Sequence, residues 1–483
     1  MLSAEVGLPL WLVAILIGLA GLAALDRMLM PGVRWFLRRR VNRVIDEINT
    51  RLHLEIQPFK LTRRQALIDL LTYDPKVVEA AVAHARETGQ PRERAIAEAK
   101  AYAREIVPSF NALIYFRLGY WFAKRVARLL YRLRLGYADE AGLRAIHPKS
   151  TVVFVINHRS NMDYVLVAFL AAEHTALSYA VGEWARVWPL AGLVRAMGAY
   201  FIRRNSKSPL YRRVLERYVH MATANGVCQA LFPEGGLSRD GRLRPPKMGL
   251  IDYMVRGFDP KGDRDVVFVP VGLNYDRVLE DRNLLRDLDP ALPRPSRLAV
   301  ARSALGFMAR NAGRMASGTW YRFGYACVNF GTPLSLRDWL AGRALDFRDL
   351  DPDRRQAEVG LLADALMARI GGIVPVLPVP LVATVLLEAE APLSPLDVKT
   401  RVASLMAALA SDGARLYIPR GDQDYAIEVG LRHLALRRLA VEAEGLYRAS
   451  PEGEAVLRYY ANSIAHLRPE GPALGAAAVR AAS

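Results

Sequence analysis

The chain has 483 residues, 52% of them hydrophobic and 24% charged, which is too long for one ordinary core and too apolar for bulk disorder. Lysine and arginine total 66 against 48 aspartates and glutamates, and the resulting +18 calls for an anionic partner: a phosphorylated substrate, an acidic carrier protein or anionic lipid headgroups. The basic residues are dispersed, with no long Lys/Arg tract, so no nucleic-acid partner is expected; two cysteines, Cys228 and Cys327, exclude a C-x-x-C zinc module and any disulfide framework beyond one bridge.

The first element is an uncharged apolar run from Val6 to Leu25, VGLPLWLVAILIGLAGLAAL. A helix of that length spans about 30 Å, the thickness of a hydrocarbon core. The preceding MLSAE has no lysine or arginine, and the run exceeds the usual ~7–15 residues of a signal-peptide core, so it reads as an uncleaved anchor. Only Glu5 flanks it before, whereas Arg27, Arg34, Arg38, Arg39, Arg40 and Arg43 follow, which keeps the body of the chain cytoplasmic. Residues 1–30 are therefore expected to form a single-pass anchor, and the Ala- and Arg-rich usage suggests a bacterial inner membrane.

Residues 31–140 read as helical, with RVNRVIDEINTRL, TRRQALIDLL and the stretch Pro91 to Val107 as examples. Segment 119–135, GYWFAKRVARLLYRLRL, reads as a basic amphipathic helix that lies on an anionic bilayer or packs on the next domain. From 141 to 335 the pattern becomes α/β. Strands are expected at TVVFVI (151–156), GVCQALF (226–232), DVVFVPV (265–271) and YACVNF (325–330), with helices between them. Near-continuous apolar strands alternating with helices imply a mostly parallel sheet covered by helices. Residues 336–483 read as mainly helical. VPVLPVPLVATVLL (374–387) is too short to span and reads as buried or interfacial, and SPLDVKTRVASLMAALASDG with ARLYIPRGDQDYAIEV suggests a helix–hairpin module of winged-helix type.

Four motifs follow the expected strands, where ligands gather in α/β sheets. INHRSNMDY (156–164) holds His158 and Asp163. On one continuous helix their side chains would point about 140° apart. His158 must then lie in the turn after the strand, with Asp163 reaching back from the helix to fix its tautomer and leave the other ring nitrogen free to take a proton. The bland alternative is a capping histidine and a first-turn aspartate. GAYFIRR (198–204), with Lys207 beyond, offers Arg203 and Arg204 to a phosphate monoester, or is a solvated basic edge. In FPEGGLSRDGR (232–242) the glycines allow backbone N–H groups to approach an anion, Glu234 suits a polyol hydroxyl and Arg239 a phosphate; otherwise it is a Gly-rich turn. VPVGLNYDRVLED (269–281) lines an acyl or pantetheine channel or is a core strand.

In this order the motifs resemble the glycerol-3-phosphate acyltransferase family, within the lysophospholipid acyltransferase superfamily. The resemblance rests on NHRSNMDY, GAYFIRR, FPEGGLSR and VPVGLNYD, and on the flanks PFKLT (58–62), Asp74-Pro75, VPVLPVPLVATVLL and RYYANSIAHL (458–467), which look like the bacterial membrane-bound type. It implies an α/β acyltransferase domain with His158 as general base and Asp163 as its partner. It further implies that Arg159, Arg203, Arg204, Ser238 and Arg239 hold phosphate and glycerol, with Lys207 nearby, and that Glu234 and Gly235 shape the glycerol site. Leu237 stands where the family often has arginine. The implied reaction moves a fatty acyl group from acyl-CoA or acyl-carrier protein to the sn-1 hydroxyl of glycerol 3-phosphate, the first step of phospholipid synthesis. Neither a metal, a cofactor beyond that thioester co-substrate, nor an acyl-enzyme is expected. Backbone N–H groups near His158 or Gly235 are expected to hold the oxyanion. The rivals are an acceptor such as dihydroxyacetone phosphate or 1-acylglycerol 3-phosphate and, in another class, a membrane-surface binding protein; PFKLT and the arginine pair favour an unacylated phosphate acceptor.

Overall fold

The computed structural model describes Phe59 and residues 62–468, apart from 112–114, 116–118, 172–176, 183–189, 204–205, 289–305, 307–312 and 314–321. The expected anchor at 6–25 lies outside the described residues. Among the described residues no helix is long and apolar enough to cross a membrane.

Among the described residues three helices come first: α1 (Arg64–Thr72), α2 (Pro75–Thr88) and α3 (Arg92–Ile106). The Asp74-Pro75 pair starts α2, because the Asp74 side chain caps it by accepting from the Lys76 N–H and proline occupies its first turn. Asp74 also takes a bidentate ion pair from Arg217 of α8 (Pro209–Ala224), which fastens these helices to the domain that follows. In α3 the buried Ala95, Ala99 and Ala103 form a stripe at i, i+4 spacing, and their small side chains let α2 and α8 approach closely.

The next stretch departs from expectation. A helix, α4, runs from Tyr120 to Leu130 and stops; Arg132–Ala138 is a strand, β1. Arg, Leu and Tyr serve either state locally, so the decision is tertiary. The alternating RLRL pairs in parallel with the free side of β7 (Tyr325–Phe330), with Arg132 opposite Tyr325. The sheet thus begins before residue 141.

After α5 (Glu140–Ala145) come β2 (Thr151–Ile156), α6 (Met162–Ala171), β3 (Ser178–Val181), α7 (Leu190–Ala196) and β4 (Tyr200–Phe201), then α8 and β5 (Gln229–Leu231). Next are α9 (Gly249–Val255), β6 (Val266–Tyr275), α10 (Asp281–Arg286), β7, and the short β8 (Leu334–Ser335) leading into α11 (Leu336–Ala341). The sheet order is β1-β7-β6-β2-β5-β3-β4, with β8 beside β6. It is mostly parallel; β6 runs antiparallel to β7 and β8. All residues of β2 and β6 are buried, as expected of central strands covered on both faces. β5 is shorter than GVCQALF because Gly226, at φ 75°, is still closing the turn out of α8.

The C-terminal region is helical: α12 (Pro352–Gly371), α13 (Pro378–Glu388), α14 (Pro395–Ser411), α15 (Gln423–Leu436) and α16 (Glu454–Asn462). The apolar α13 is buried from Pro378 to Leu386 and packs against α14, α15 and α16. A hairpin exists, but at β9 (Ala440–Ala443) and β10 (Leu446–Ala449) rather than in ARLYIPRGDQDYAIEV, which enters α15 from Gln423 onward.

Candidate active site

β2 delivers His158 to the carboxyl edge of the sheet. Asn157 makes the exit rigid: its Nδ2 donates to the Leu273 carbonyl at 2.9 Å and its Oδ1 accepts from the Leu273 N–H at 2.7 Å, continuing the β2–β6 ladder by a side chain. The turn then brings His158 Nδ1 to 2.8 Å from Asp163 Oδ2, in the first turn of α6. The same oxygen accepts from the N–H groups of Arg159 at 2.7 Å and Ser160 at 3.0 Å. Asp163 Oδ1 accepts from the Tyr275 hydroxyl at the end of β6. Asp163 is fully buried, and His158 is 2% exposed. The imidazole stacks on Phe232, with ring centroids 4.0 Å apart, and meets the edge of Tyr164. With Nδ1 donating to a carboxylate, Nε2 is left as the basic nitrogen.

Glu234 braces this turn from the loop after β5. One carboxylate oxygen accepts from the His158 N–H at 2.8 Å and the other from the Arg244 N–H at 3.0 Å. Both oxygens are thus engaged by backbone, so Glu234 positions the histidine rather than meeting a glycerol hydroxyl. Burial pushes its carboxyl up to about 7, against the pull of the two amides and Arg159. A carboxyl raised on folding contributes stability that is full below its unfolded value and is lost as pH rises through the folded one. From pH 5 to 8 this group alone is expected to withdraw about 2–3 kcal/mol. The difference in unfolding free energy between wild type and Glu234→Gln, followed across that range, measures it; Asp276, also raised to about 7 by burial, is present in both proteins and cancels.

The other expected ligands are placed differently. Arg159 is 1% exposed, and its guanidinium donates to the carbonyls of Gly241 and Ser463, with Nε left without a partner among the described residues. It is a buried strut between the Glu234 loop and the C-terminal region, not an open phosphate contact. Gly241, at φ 86°, tolerates no side chain, because a Cβ would lie 1.9 Å from the Tyr459 carbonyl oxygen. Arg203 makes a bidentate ion pair with Glu105 of α3, at 2.9 and 2.6 Å, with its guanidinium over the rings of Tyr102 and Tyr211. A carboxylate thus occupies the fork that a phosphate was expected to fill. Ser238 spends its hydroxyl on the Arg242 carbonyl and its N–H on the His158 carbonyl. The Gly235 N–H donates to the Phe232 carbonyl, so the His158 and Gly235 amides, expected to hold an oxyanion, are both engaged. Gly235 is at φ 66°, and its missing side chain leaves room for the stem of Lys247. Lys207 and Arg239 are exposed, Arg239 donating to the Asp287 carbonyl; Arg204 lies outside the described residues. Leu237 packs against the core cluster that the C-terminal helices share with α4 and α6.

In VPVGLNYDRVLED the residues up to Tyr275 are a core strand rather than a channel wall, and Tyr275 and Glu280 of this motif are two side chains that sequence reasoning did not single out. Tyr275 holds Asp163, and Glu280 accepts from the Ser160 hydroxyl at 2.7 Å and the Asn161 amide at 3.1 Å. Both stand inside a motif already marked, but nothing local in it shows which way they point. Next to them, Asp281 accepts from Tyr460 and Arg437, tying the RYYANS segment to the same loop. Tyr275→Phe removes one of four donors to Asp163. We expect kcat to fall about tenfold, in keeping with one hydrogen bond of 1–1.5 kcal/mol, with KM little changed. Unaltered kcat in a folded variant would show that Tyr275 only packs.

Residues 139–274 match the acyltransferase family model, and 315–483 match that of the glycerol-3-phosphate acyltransferase C-terminal region. Among curated proteins the chain is 28% identical over 423 residues to glycerol-3-phosphate acyltransferase of Pseudomonas putida (strain KT2440), covering 84% of this chain and 49% of that protein. It is 29% identical over 425 residues to the glycerol-3-phosphate acyltransferase of Ectopseudomonas mendocina, with the same coverages. The chain therefore spans about half the length of the curated relatives it matches. Among solved structures it is 15% identical to the 1-acyl-sn-glycerophosphate acyltransferase of Thermotoga maritima, covering 63% of this chain and 97% of that one, with a TM-score of 0.30.

Proposed function

We propose that this chain is a member of the glycerol-3-phosphate acyltransferase family that acylates the sn-1 hydroxyl of glycerol 3-phosphate from a thioester donor, the first step of phospholipid synthesis; the matches to the acyltransferase and glycerol-3-phosphate acyltransferase C-terminal models and to the curated relatives support the reading. The observation that carries the reading is the buried His158–Asp163 pair, with the histidine tautomer set by the carboxylate and Nε2 left for substrate.

In the proposed reaction Nε2 takes the proton of the sn-1 hydroxyl as that oxygen attacks the thioester carbonyl. Asp163 stabilises the imidazolium that forms. When the tetrahedral intermediate collapses, the C–S bond breaks and the imidazolium returns its proton to the leaving thiolate. The products are a free thiol and 1-acylglycerol 3-phosphate. Acyl-CoA and acyl-carrier protein both remain in view as donors. The exposed Lys207 and Arg239, with Arg242 and Lys247 of the same loop, are the cations we assign to the acceptor phosphate. Val6 to Leu25 is proposed as a membrane anchor that leaves the catalytic body cytoplasmic.

Incorporation of radiolabelled glycerol 3-phosphate into a lipid-extractable product, with dihydroxyacetone phosphate and 1-acylglycerol 3-phosphate as competitors, tests the acceptor. A labelled product acylated at sn-1 and weak competition support the reading; exclusive use of either competitor overturns the acceptor while leaving the chemistry. Arg203→Ala is expected to cost about 1–2 kcal/mol of stability, since it removes an ion pair and a side chain packed on two tyrosines. Its KM for glycerol 3-phosphate should stay within about twofold of wild type, as expected for a residue outside the acceptor contacts. A tenfold rise would return Arg203 to the phosphate site.

A further inference from the structure

Segment 119–138, GYWFAKRVARLLYRLRLGYA, carries Lys124, Arg125, Arg128, Arg132 and Arg134 and no carboxylate. On it Trp121 is 56% exposed, Leu129 42% and Leu135 55%. These are three of the ten large apolar side chains exposed among the described residues, so cations and exposed apolar groups are concentrated in one place. A cavity of about 430 Å³ opens beside β1, lined by Arg128, Arg132, Arg134, Arg322, Leu133 and Leu135. Arg134 donates to the Tyr417 hydroxyl at 2.8 Å, and Arg132 to the hydroxyls of Tyr325 and Tyr425. Hydroxyls orient these guanidiniums without neutralising them. Among the described residues β1 is an edge strand, with no further strand paired on its far side.

This face lies at the catalytic edge of the sheet. Arg132, at the start of β1, pairs with Tyr325 of β7, whose neighbour Ala326 lies across from Tyr275, the carboxyl end of β6. Between α4 and β1, Tyr131 packs on Tyr275 with centroids 5.4 Å apart, and α4 packs against α6, which bears Asp163.

We propose that α4 and β1 form an interfacial face that docks on an anionic phospholipid bilayer and holds the catalytic edge at the membrane surface. An acidic protein or a free phosphate would satisfy the arginines but leave Trp121, Leu129 and Leu135 in water. A bilayer satisfies both, with lipid phosphates at the guanidiniums and the acyl boundary at the apolar side chains. The functional consequence rests on the acyltransferase reading: a product carrying a long acyl chain would leave the site directly into lipid. The docking itself does not rest on it.

The native cysteines are buried, so a cysteine introduced at an exposed position can be labelled selectively. The full chain carrying Leu129→Cys or Leu135→Cys, labelled with an environment-sensitive fluorophore, is reconstituted into vesicles of phosphatidylglycerol and phosphatidylethanolamine that contain a lipid-borne nitroxide quencher. Leu396→Cys, at a position 73% exposed on α14, is the reference. Quenching at 129 and 135 should exceed that at 396 several-fold, and Arg125→Glu with Arg128→Glu should abolish the difference. Quenching equal to that at 396, or a label that responds to an acidic carrier protein and not to the vesicles, overturns the proposal. Acyl transfer from a soluble thioester in detergent, assayed on the same proteins, separates the two readings. Activity without the quenching contrast sinks the docking face alone, and contrast without activity in wild type sinks the enzymatic reading alone.

Discussion

Replacing His158 with alanine is expected to lower the rate of acyl transfer to glycerol 3-phosphate by about 10³–10⁴-fold, the worth of a positioned general base. Among the described residues around it there is no substitute base. Nε2 is the one ring nitrogen not committed to Asp163, and the neighbouring Phe232 and Tyr164 supply packing rather than a base. The variant loses a stacked ring and leaves Asp163 one donor short, so some loss of stability accompanies the loss of rate. A far-ultraviolet circular dichroism spectrum and a melting curve of the detergent-solubilised variant distinguish the two. A folded, inactive protein is the expected result, and a folded protein with more than about a tenth of wild-type activity would remove His158 from the mechanism.

Asp163→Asn is expected to be nearly as severe, with kcat reduced about 10²–10⁴-fold. The carboxylate accepts from His158 Nδ1 and from the N–H groups of Arg159 and Ser160 through one oxygen, and from Tyr275 through the other. An asparagine can keep acceptors on one side only. If its oxygen stays with the three N–H donors, its NH₂ faces the Tyr275 hydroxyl, which can turn to accept. In that arrangement the fold survives and the imidazolium loses its counter-charge, so kcat falls with little change in KM. If the amide flips, the turn after β2 loses three acceptor bonds in a fully buried place, and the protein melts several degrees lower. Comparing kcat, KM and melting temperature of this variant separates the arrangements; wild-type kcat in a stable protein would contradict both.

Much of this was legible before the structure. TVVFVI and YACVNF are strands at the expected residues because β-branched and aromatic runs between turn signals have no competing local pattern. His158 and Asp163 meet as their spacing demanded. β1 was hidden because WFAKRVARLL sets up a helical period whose residue types continue into RLRL, and only the open side of β7 makes the alternation decisive. The roles of Arg159 and Arg203 were hidden for a related reason. Their partners, Gly241, Ser463 and Glu105, are 82, 304 and 98 residues away in sequence, and a motif that reads as anion binding by composition does not say whether a carbonyl or a carboxylate will fill it. The C-terminal region shows the same limit. RYYANSIAHL was visible as a flank, while its contacts explain its presence: Tyr460 on Asp281, Asn462 on the Asp240 carbonyl and Ser463 under Arg159 brace both loops that hold the histidine.

The central claim is that this chain consumes a thioester only when an acceptor hydroxyl is present to be deprotonated by His158. Thiol release from a long-chain acyl-CoA, and in parallel from acyl-carrier protein, by the purified full chain with and without glycerol 3-phosphate tests it directly. Release that requires glycerol 3-phosphate with at least one donor, in equal amount to the acylated product, is the predicted result. Release at the same rate without an acceptor, or none with either donor, would contradict it.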